Sequence, residues 1–172
     1  MTIQGKTKEK CEWNQGVVFY VANVTGKRLK NVRAVLILII LSGENEKFYA
    51  LQEEKQSQIL NAAYKVFASN QYKKAPTSEI AAEAGISKSL LFHYFHNKLE
   101  LYLFLWKYAA DLTKKYMCKY KVYETDDFFE MMRRGLMVKY TVMRKYTFLS
   151  LFSINSYFET EPDIQSIIQP YV

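Results

Sequence analysis

A short run of hydrogen-bonding side chains stands out in the middle of the chain. Ser87, Lys88, Ser89 and His93 fall close together, and side chains of these types hydrogen-bond to base edges or to phosphate oxygens. Lysine also carries a charge that releases counterions from a phosphate backbone. Leu90 lies among them and can contact the methyl group of thymine. The chemistry that this run supports is contact with a nucleic acid.

The surrounding residues predict two short helices joined by a tight turn. Gly85 occupies a turn position that requires a positive φ, which glycine adopts without steric cost. Ser87 is expected to cap the second helix, Lys88 to Phe95. Apolar residues of both helices have the spacing of a small shared core: Ile80, Ala84, Ile86, Leu91 and Phe95. This is the helix-turn-helix pattern, whose second helix can enter a DNA major groove.

The sequence also indicates where the first short helix starts and where the helix before it lies. Pro76 suits a first helical position, and we expect the hydroxyl of Thr77 or Ser78 to cap or line the exposed amides. The preceding helix is expected from Gln52 to about Ser69, because apolar residues recur on one face at Ile59, Ala63, Val66 and Phe67. Asn70 should then take the left-handed conformation that ends many helices.

Helices are predicted for the rest of the chain as well. Asn97 and Glu100 form an arrangement like a capping box, which opens a long helix. Its apolar stripe consists of Leu101, Leu105 and Tyr108, with Phe104 and Leu112 close by. Further helices are expected at 126–145 and 146–158, and Pro162 should end or break the latter region. The predicted fold class is all-α: a three-helix, helix-turn-helix domain followed by a helical domain.

The segment from about Phe48 to Tyr108 closely resembles the DNA-binding domain of the TetR family of transcriptional repressors. The resemblance rests on Ala62, Phe67, Tyr72, Ile80-Ala81, Ala84 to Lys88, Leu91 to Phe95, Asn97-Lys98 and Leu101. Its most specific part is the run GISKSLLFHYFHNKLELY. The resemblance implies a homodimer that binds operator DNA and is regulated by a small ligand in its C-terminal helices.

The resemblance also implies roles for individual residues. The residues that it places against base edges or nearby phosphates are Ser87, Lys88, Ser89, Leu90 and His93. Tyr94 and Lys98 resemble the family's contacts to the phosphate backbone, and Thr77 or Ser78 would add contacts from the preceding helix.

Several positions depart from the family pattern. Ser89 and Leu90 stand where many members have glycine followed by serine or threonine, and Phe92 stands where many have tyrosine. Pro76 occupies the place where the cap hydroxyl often sits. Because the recognition helix holds a single lysine, we expect specificity to depend partly on DNA shape and apolar contact.

The C-terminal part is shorter than the resemblance implies. From Phe48 onward the chain has 125 residues, whereas the family's regulatory domain is usually longer and ends in two helices that pair across the dimer. We therefore expect the regulatory domain, residues 98–172, to be incomplete. A homodimer is expected for the full-length parent, and dimerisation of this shortened chain stays open. Some aromatic and Met side chains are expected to line a cavity for a small apolar or aromatic ligand.

Residues 1–46 do not fit this pattern and form an atypical extension. Gly16 to Thr25 has a strand-like composition, and Val32 to Leu41 is apolar but shorter than the ~20 residues that a membrane-spanning helix needs. Three interpretations are open: a hairpin-like extension, an interfacial anchor, or an error in the gene start, which we rank first. No stable membrane insertion is expected.

The composition argues against several classes of protein. A net charge of +7 permits an anionic partner, and no block of the chain is a polybasic tail. Cys11 and Cys118 lie far apart, which argues against a disulfide framework and fits a reducing cytoplasm. His93 and His96 lack a third metal ligand nearby. No catalytic or cofactor motif is present, so we expect no enzymatic activity, no cofactor and no metal site.

These patterns predict a cytoplasmic DNA-binding transcriptional regulator, a repressor that a small molecule releases from its operator. Residues 47–97 would form the DNA-binding domain. The competing hypothesis is a helical protein-interaction or membrane-surface module, in which residues 1–46 anchor the chain and the helix-turn-helix is vestigial.

Overall fold

The computed structural model describes residues 45–168, and this range is helical throughout. Its helices are α1 (Glu46–Tyr49), α2 (Glu53–Ser69), α3 (Thr77–Glu83), α4 (Lys88–Phe95), α5 (Lys98–Lys119), α6 (Phe128–Lys145), α7 (Leu149–Tyr157) and α8 (Pro162–Ile168), with a 3₁₀ turn at Tyr72–Lys74. The predicted all-α class is confirmed, because no strand occurs within this range. The strand-like and apolar stretches predicted before residue 45 lie outside it.

Helices α1 to α4 form an N-terminal head around one apolar core. The predicted face of α2 is buried, and α3 and α4 add the buried residues Ile80, Ala84, Leu91 and Phe95. Ile86, also predicted for this core, is half-buried. From α1, the ring of Phe48 lies 5.2 Å from the ring of Phe95. The head therefore encloses its own aromatic and aliphatic side chains.

Helix α5 connects the head to the C-terminal helices α6, α7 and α8. It packs against α2 and α4 of the head, and it also packs against α6 and α7. Leu101 and Leu105 are buried, while Phe104, Tyr108 and Leu112 are half-buried against the same core. The apolar stripe predicted for this helix is confirmed. The division into domains at residues 97 and 98 stays a prediction.

Tyrosine hydroxyls join α2 of the head to α5, and α5 to the end of α6. The hydroxyl of Tyr64 in α2 donates to the carbonyl of Leu105 at 2.9 Å. The hydroxyls of Tyr108 and Tyr146 are hydrogen-bonded at 2.9 Å. Burial raises the pKa of both Tyr64 and Tyr108, so these hydroxyls stay neutral. The side-chain amide of Asn61 donates to the carbonyl of Lys145 at 3.1 Å, which ties α2 to the end of α6.

Helix ends differ from the sequence-based expectations at two places. Asn70 is extended, with φ −136°, so the expected left-handed cap is wrong. Pro162 is the first residue of α8, whereas α7 has already ended at Tyr157, because proline is well suited to a first helical turn. The start of α6 is as expected: the carboxylate of Asp127 accepts hydrogen bonds from the amides of Phe129 and Glu130.

Candidate nucleic-acid interface

The turn between α3 and α4 depends on a glycine. Gly85 has φ +59°, a left-handed conformation that a residue without a Cβ atom adopts readily. Its N–H donates to the carbonyl of Ala82, and the N–H of Ile86 donates to the carbonyl of Ala81, both at 3.0 Å. The positive φ predicted for Gly85 is confirmed. These bonds set the direction in which α4 leaves the turn.

Helix α4 starts at a capped N-terminus. The hydroxyl of Ser87 accepts a hydrogen bond from the amide of Leu90 at 3.1 Å, which confirms the predicted cap. First-turn amides have no acceptor within their own helix, and the helix dipole places partial positive charge there. Both properties favour an anion such as a phosphate.

Helix α4 has one buried face and one exposed face. Leu91 and Phe95 are fully buried, and the ring of Phe95 lies 5.1 Å from that of Phe104 in α5. The opposite surface, which we call the α4 outer face, consists of the exposed residues Ser87, Lys88, Ser89, Leu90 and His93. The polar residues singled out by the sequence therefore lie together, open to solvent and beside a leucine that is 37% exposed.

Lys88 provides the positive charge of the α4 outer face. Its ammonium lies 5.8 Å from the centre of the Phe92 ring, a cation–π distance. Among residues 45–168 it forms no ion pair. The Phe92 ring lies beneath the lysine. The charge of Lys88 is therefore free to meet a phosphate or a base.

Tyr94 is half-buried at the edge of the α4 outer face. Its ring meets Phe48 edge-on at 6.5 Å and Phe95 at 6.3 Å, so the ring belongs to the margin of the core. Its hydroxyl makes no hydrogen bond within the described residues. This side chain combines a packed ring with a hydroxyl available to an acceptor.

Lys98 is held against the head at the start of α5. Its ammonium donates to the carbonyl of Lys73 at 3.3 Å and lies 4.8 Å from the centre of the Tyr72 ring. Burial lowers the pKa of Lys98, and the nearby Glu159 opposes this shift. Lys98 thus packs against the 3₁₀ turn at Tyr72–Lys74, with part of its donor capacity already used.

The start of α3 differs from the sequence-based expectation. Pro76 lies at the cap position, one residue before the helix, and no side chain caps α3 there. Thr77 and Ser78 lie inside the first turn, so the expected capping is wrong, whereas their expected place along the exposed amides of that turn stays a prediction. Thr77 is half-buried and Ser78 is exposed.

Comparison with known proteins identifies the head. Residues 59–104 match the family model described as bacterial regulatory proteins, tetR family. A crystal structure of a TetR family transcriptional regulator from Chloroflexus aurantiacus J-10-FL is similar over 71% of this chain and 58% of that one, with a TM-score of 0.55 and 25% identity. The head of this chain is therefore similar to the corresponding part of TetR-family regulators.

A curated relative matches this chain over a shorter stretch. The HTH-type transcriptional activator FasR of Mycolicibacterium smegmatis (strain ATCC 700084 / mc(2)155) is 46% identical over 52 residues. The match covers 30% of this chain and 24% of FasR. The chain therefore spans about a quarter of that relative, and the similarity is confined to a short segment.

One contact of the head was missed by sequence reasoning. His96 has φ +55°, and its Nδ1 lies 2.8 Å from a carboxylate oxygen of Glu100. The other oxygen of Glu100 accepts from the side-chain amide of Asn97 at 2.7 Å. The predicted Asn97–Glu100 cap is confirmed by the 2.9 Å bond from the Glu100 amide to Asn97. The four-residue spacing from His96 to Glu100 was the available signal, and these contacts brace the junction between α4 and α5.

Two open grooves border the head. One, of about 440 Å³, is lined by Gln58, Asn61, Ala62, Lys65, Glu83, Thr147 and Phe148. The other, of about 320 Å³, lies beside α7 and is lined by Phe67, Ala68, Ser69, Asn70, Gln71, Tyr102, Asn155, Phe158 and Glu159. Polar and apolar side chains line both grooves, and the apolar ligand cavity expected from the sequence stays a prediction.

The described range contains neither a membrane-spanning helix nor a metal-binding group of side chains. None of the helices between residues 45 and 168 combines the length and the apolar character needed to cross a membrane. In the same range, no three His, Cys, Asp or Glu side chains come together as a group that could hold a metal ion.

Proposed function

We propose that this chain is a DNA-binding transcriptional regulator that inserts α4 into the major groove of an operator. The observation that carries the proposal is the α4 outer face, which is exposed while Leu91 and Phe95 anchor the opposite side of the helix. A major groove about 12 Å wide admits an α-helix, and the second helix of a helix-turn-helix binds there by its N-terminal residues. The match of residues 59–104 to the tetR family model supports the same proposal.

The α4 outer face offers distinct chemistry to bases and phosphates. Ser87, Ser89 and His93 would hydrogen-bond to base edges or phosphates, and Lys88 would bind a phosphate or a guanine. Leu90 would contact a thymine methyl. Because one lysine faces the groove, shape and apolar contact would contribute to the choice of sequence.

Residues beside this face would hold the DNA backbone. The Tyr94 hydroxyl is available to donate to a phosphate, since its ring is already fixed against Phe48. Lys98 would reach a phosphate by exchanging the Lys73 carbonyl for a phosphate oxygen. Thr77 and Ser78, in the first turn of α3, would bind a further phosphate from that helix end.

For regulation we propose a homodimeric repressor that a small apolar or aromatic molecule releases. Helix α5 packs against both the head and α6, so a ligand that shifts α6 or α7 would tilt α5 and change the distance between two heads. Two heads must fit half-sites about 34 Å apart, and a misfit would weaken binding. FasR, by its name an activator, makes activation the competing outcome. Cytoplasmic location and lack of enzymatic activity stay predictions.

The test is fluorescence anisotropy with duplexes from the region upstream of the gene. We expect a sequence-selective complex whose affinity falls as salt rises. Lys88→Ala should weaken binding about tenfold and, if Lys88 neutralises one phosphate, lower the salt slope by about 0.9. The matched control is Lys107→Ala on α5, where Lys107 pairs with Asp111, and it should bind like the wild type.

Two results would decide against parts of the proposal. If no upstream duplex is preferred over a scrambled one at any salt concentration, the DNA-binding proposal is wrong. A reporter behind the same upstream region then gives the direction of control. Deleting the gene should raise expression for a repressor, and a fall would make the protein an activator.

A further inference from the structure

Three acidic residues lie between the end of α7 and the first turn of α8. Glu159, Glu161 and Asp163 fall within five consecutive positions that hold no basic residue. We call residues 159–163 the acidic link. The link follows α7 directly and enters α8, whose three isoleucines are buried. Apolar packing of α8 therefore holds the acidic link in its place.

The acidic link contacts the 3₁₀ turn at Tyr72–Lys74 in the head. One carboxylate oxygen of Glu159 accepts a hydrogen bond from the backbone N–H of Tyr72 at 2.9 Å. The other oxygen of Glu159 accepts from the next two amides of the link, at 3.0 and 3.3 Å, which fixes the orientation of the carboxylate. A carboxylate oxygen of Glu161 lies 3.9 Å from the ammonium of Lys73. Two carboxylates from the C-terminal part of the chain thus meet one turn of the head.

The negative charge of the acidic link acts on the neighbouring side chains. Burial, followed by the charges of the three acids of the link, raises the pKa of Tyr72 to about 12. Burial lowers the pKa of Lys98, and the charge of Glu159 opposes this shift. The ammonium of Lys98 donates to the carbonyl of Lys73 at 3.3 Å. Both lysines therefore lie next to the acidic link.

The contacted turn adjoins residues that we propose to bind the DNA backbone. Lys98 is one of them, and Thr77 follows the turn by three residues. Lys73 and Lys74 are exposed, and Lys74 forms no ion pair within residues 45–168. Backbone N–H groups and lysine ammonium groups are common donors to phosphate oxygens in protein–DNA interfaces. The Tyr72–Lys74 turn offers three such donors, and carboxylates of the acidic link contact two of them.

We infer that the acidic link competes with the DNA backbone for the Tyr72–Lys74 turn and thereby weakens DNA binding. Carboxylate and phosphate oxygens accept from the same donors, so they exclude each other at the Tyr72 amide and at the ammonium of Lys73. The link also brings negative charge towards an incoming phosphate backbone, and like charges placed together oppose association. This inference rests on the proposed DNA-binding function, because the competing ligand is the phosphate backbone.

A purely structural role for the acidic link predicts the opposite response when its charge is removed. Glu159→Gln keeps the shape of the side chain and an oxygen that can accept from Tyr72, but it removes the charge. Glu161→Gln likewise removes the charge that faces Lys73. If the link served only to hold the head in place, these losses would leave DNA binding unchanged or weaken it. Competition predicts that both variants bind DNA more tightly.

The test is fluorescence anisotropy of the full chain with an upstream duplex and with a scrambled one. At low salt Glu161→Gln should tighten binding about threefold, because Lys73 is then released to neutralise a phosphate. Glu159→Gln should tighten binding in the same direction, and high salt should remove both differences. The matched control is Glu124→Gln in the loop after α5, where Glu124 pairs with Lys121. It removes the same charge and should bind like the wild type.

Two lysine backgrounds locate the origin of the gain. The gain from Glu161→Gln should disappear in a Lys73→Ala background and should persist in a Lys74→Ala background. Far-ultraviolet circular dichroism should show equal helix content in all variants. Glutamine variants that bind no more tightly than the wild type would overturn the inference. So would a gain that persists equally in both lysine backgrounds, because the carboxylate would then act through net charge alone.

Failure of this inference can be told apart from failure of the proposed function. Phosphate contacts carry no direct sequence information, so the gain should appear with the scrambled duplex as well. A gain with both duplexes, and no preference between them, would count against the operator proposal alone. Sequence-selective binding without any gain would count against competition by the acidic link alone. Absence of binding to either duplex would overturn both.

Discussion

Aromatic residues are largely buried in the head, whereas several are exposed on α6. In the head, Phe48, Phe67 and Phe95 are buried in a common core, and the exposed face of α4 is mostly polar. In α6, Phe128 and Phe129 are exposed and the polar residues are grouped by charge. The aromatic core of the head continues into α5 and α7, whereas α6 leaves aromatic side chains exposed within the described residues.

The largest expected effect comes from truncating one phenylalanine in each region. Phe95→Ala removes a fully buried ring from the head and should lower the free energy of unfolding by about 3–5 kcal/mol. Phe129→Ala removes a ring that is mostly in solvent and should change it by less than about 0.5 kcal/mol. Urea unfolding followed by circular dichroism measures both. Equal losses of unfolding free energy would show that Phe129 is buried within one copy of the chain.

Replacing each of the two described glycines by alanine should change the stability of the fold in opposite directions. Gly85→Ala forces a Cβ atom into a left-handed conformation and should cost about 1–2 kcal/mol. The added Cβ would lie 3.4 Å from the Gln58 amide nitrogen, so the cost is mainly conformational. Gly135→Ala in α6 meets nothing within 4 Å and should stabilise the helix by about 0.5–1 kcal/mol. Thermal unfolding of both variants measures the difference, and a stabilised Gly85→Ala would contradict the turn geometry.

A smaller effect is expected at the caps of α4 and α6. Ser87→Ala and Asp127→Ala each remove a side-chain acceptor from first-turn amides and should cost about 1 kcal/mol. Ser89→Ala, inside the first turn of α4, is the control and should change stability little. Chemical denaturation without DNA separates the cap from any contact with bases. Equal stability of the Ser87→Ala and Ser89→Ala variants would show that the Ser87 cap does not stabilise α4.

The smallest effect concerns the ion pair that links the two regions. Lys145 at the end of α6 hydrogen-bonds and pairs with Glu53 at the start of α2, which lowers the pKa of Glu53 and raises that of Lys145. Because the carboxyl pKa is lower in the folded chain, the unfolded chain binds more protons. The pair therefore stabilises the folded state fully above the ordinary pKa of Glu53. This stabilisation is lost as the pH falls through the lowered pKa. Glu53→Gln should therefore flatten the acid side of the stability–pH profile slightly, and high salt should reduce the difference. An unchanged profile would mean that the pair contributes nothing.

The head was the more predictable region because its signals are local. Gly85, Ser87 and the Asn97–Glu100 pair each determine backbone within a few residues, and all three behave as the sequence indicates. Capping by Thr77 was predicted wrongly because a shift of one residue in the helix start changes which residue is the cap, and α3 starts at Thr77 itself. Pro162 was misjudged because proline both ends and begins helices.

The C-terminal helices were less predictable because their roles depend on distant contacts. The spacing of Phe128, Met132 and Leu136 marks an apolar face of α6, yet spacing cannot tell whether that face lies inside or outside. The placement of Lys98 over Tyr72 likewise depends on how two separate elements pack. Only the folded structure shows which side of α6 faces the core and which side is exposed.

The central claim is that the α4 outer face reads DNA, and amide chemical shifts test it most directly. Titration of the isotope-labelled protein with its preferred duplex should shift the amides of residues 87–94 most strongly, with smaller shifts near Thr77 and Lys98. The amides of α6 residues should move little at a fixed dimer population. Large shifts confined to α6 or α7, with residues 87–94 unchanged at saturating DNA, would contradict the account.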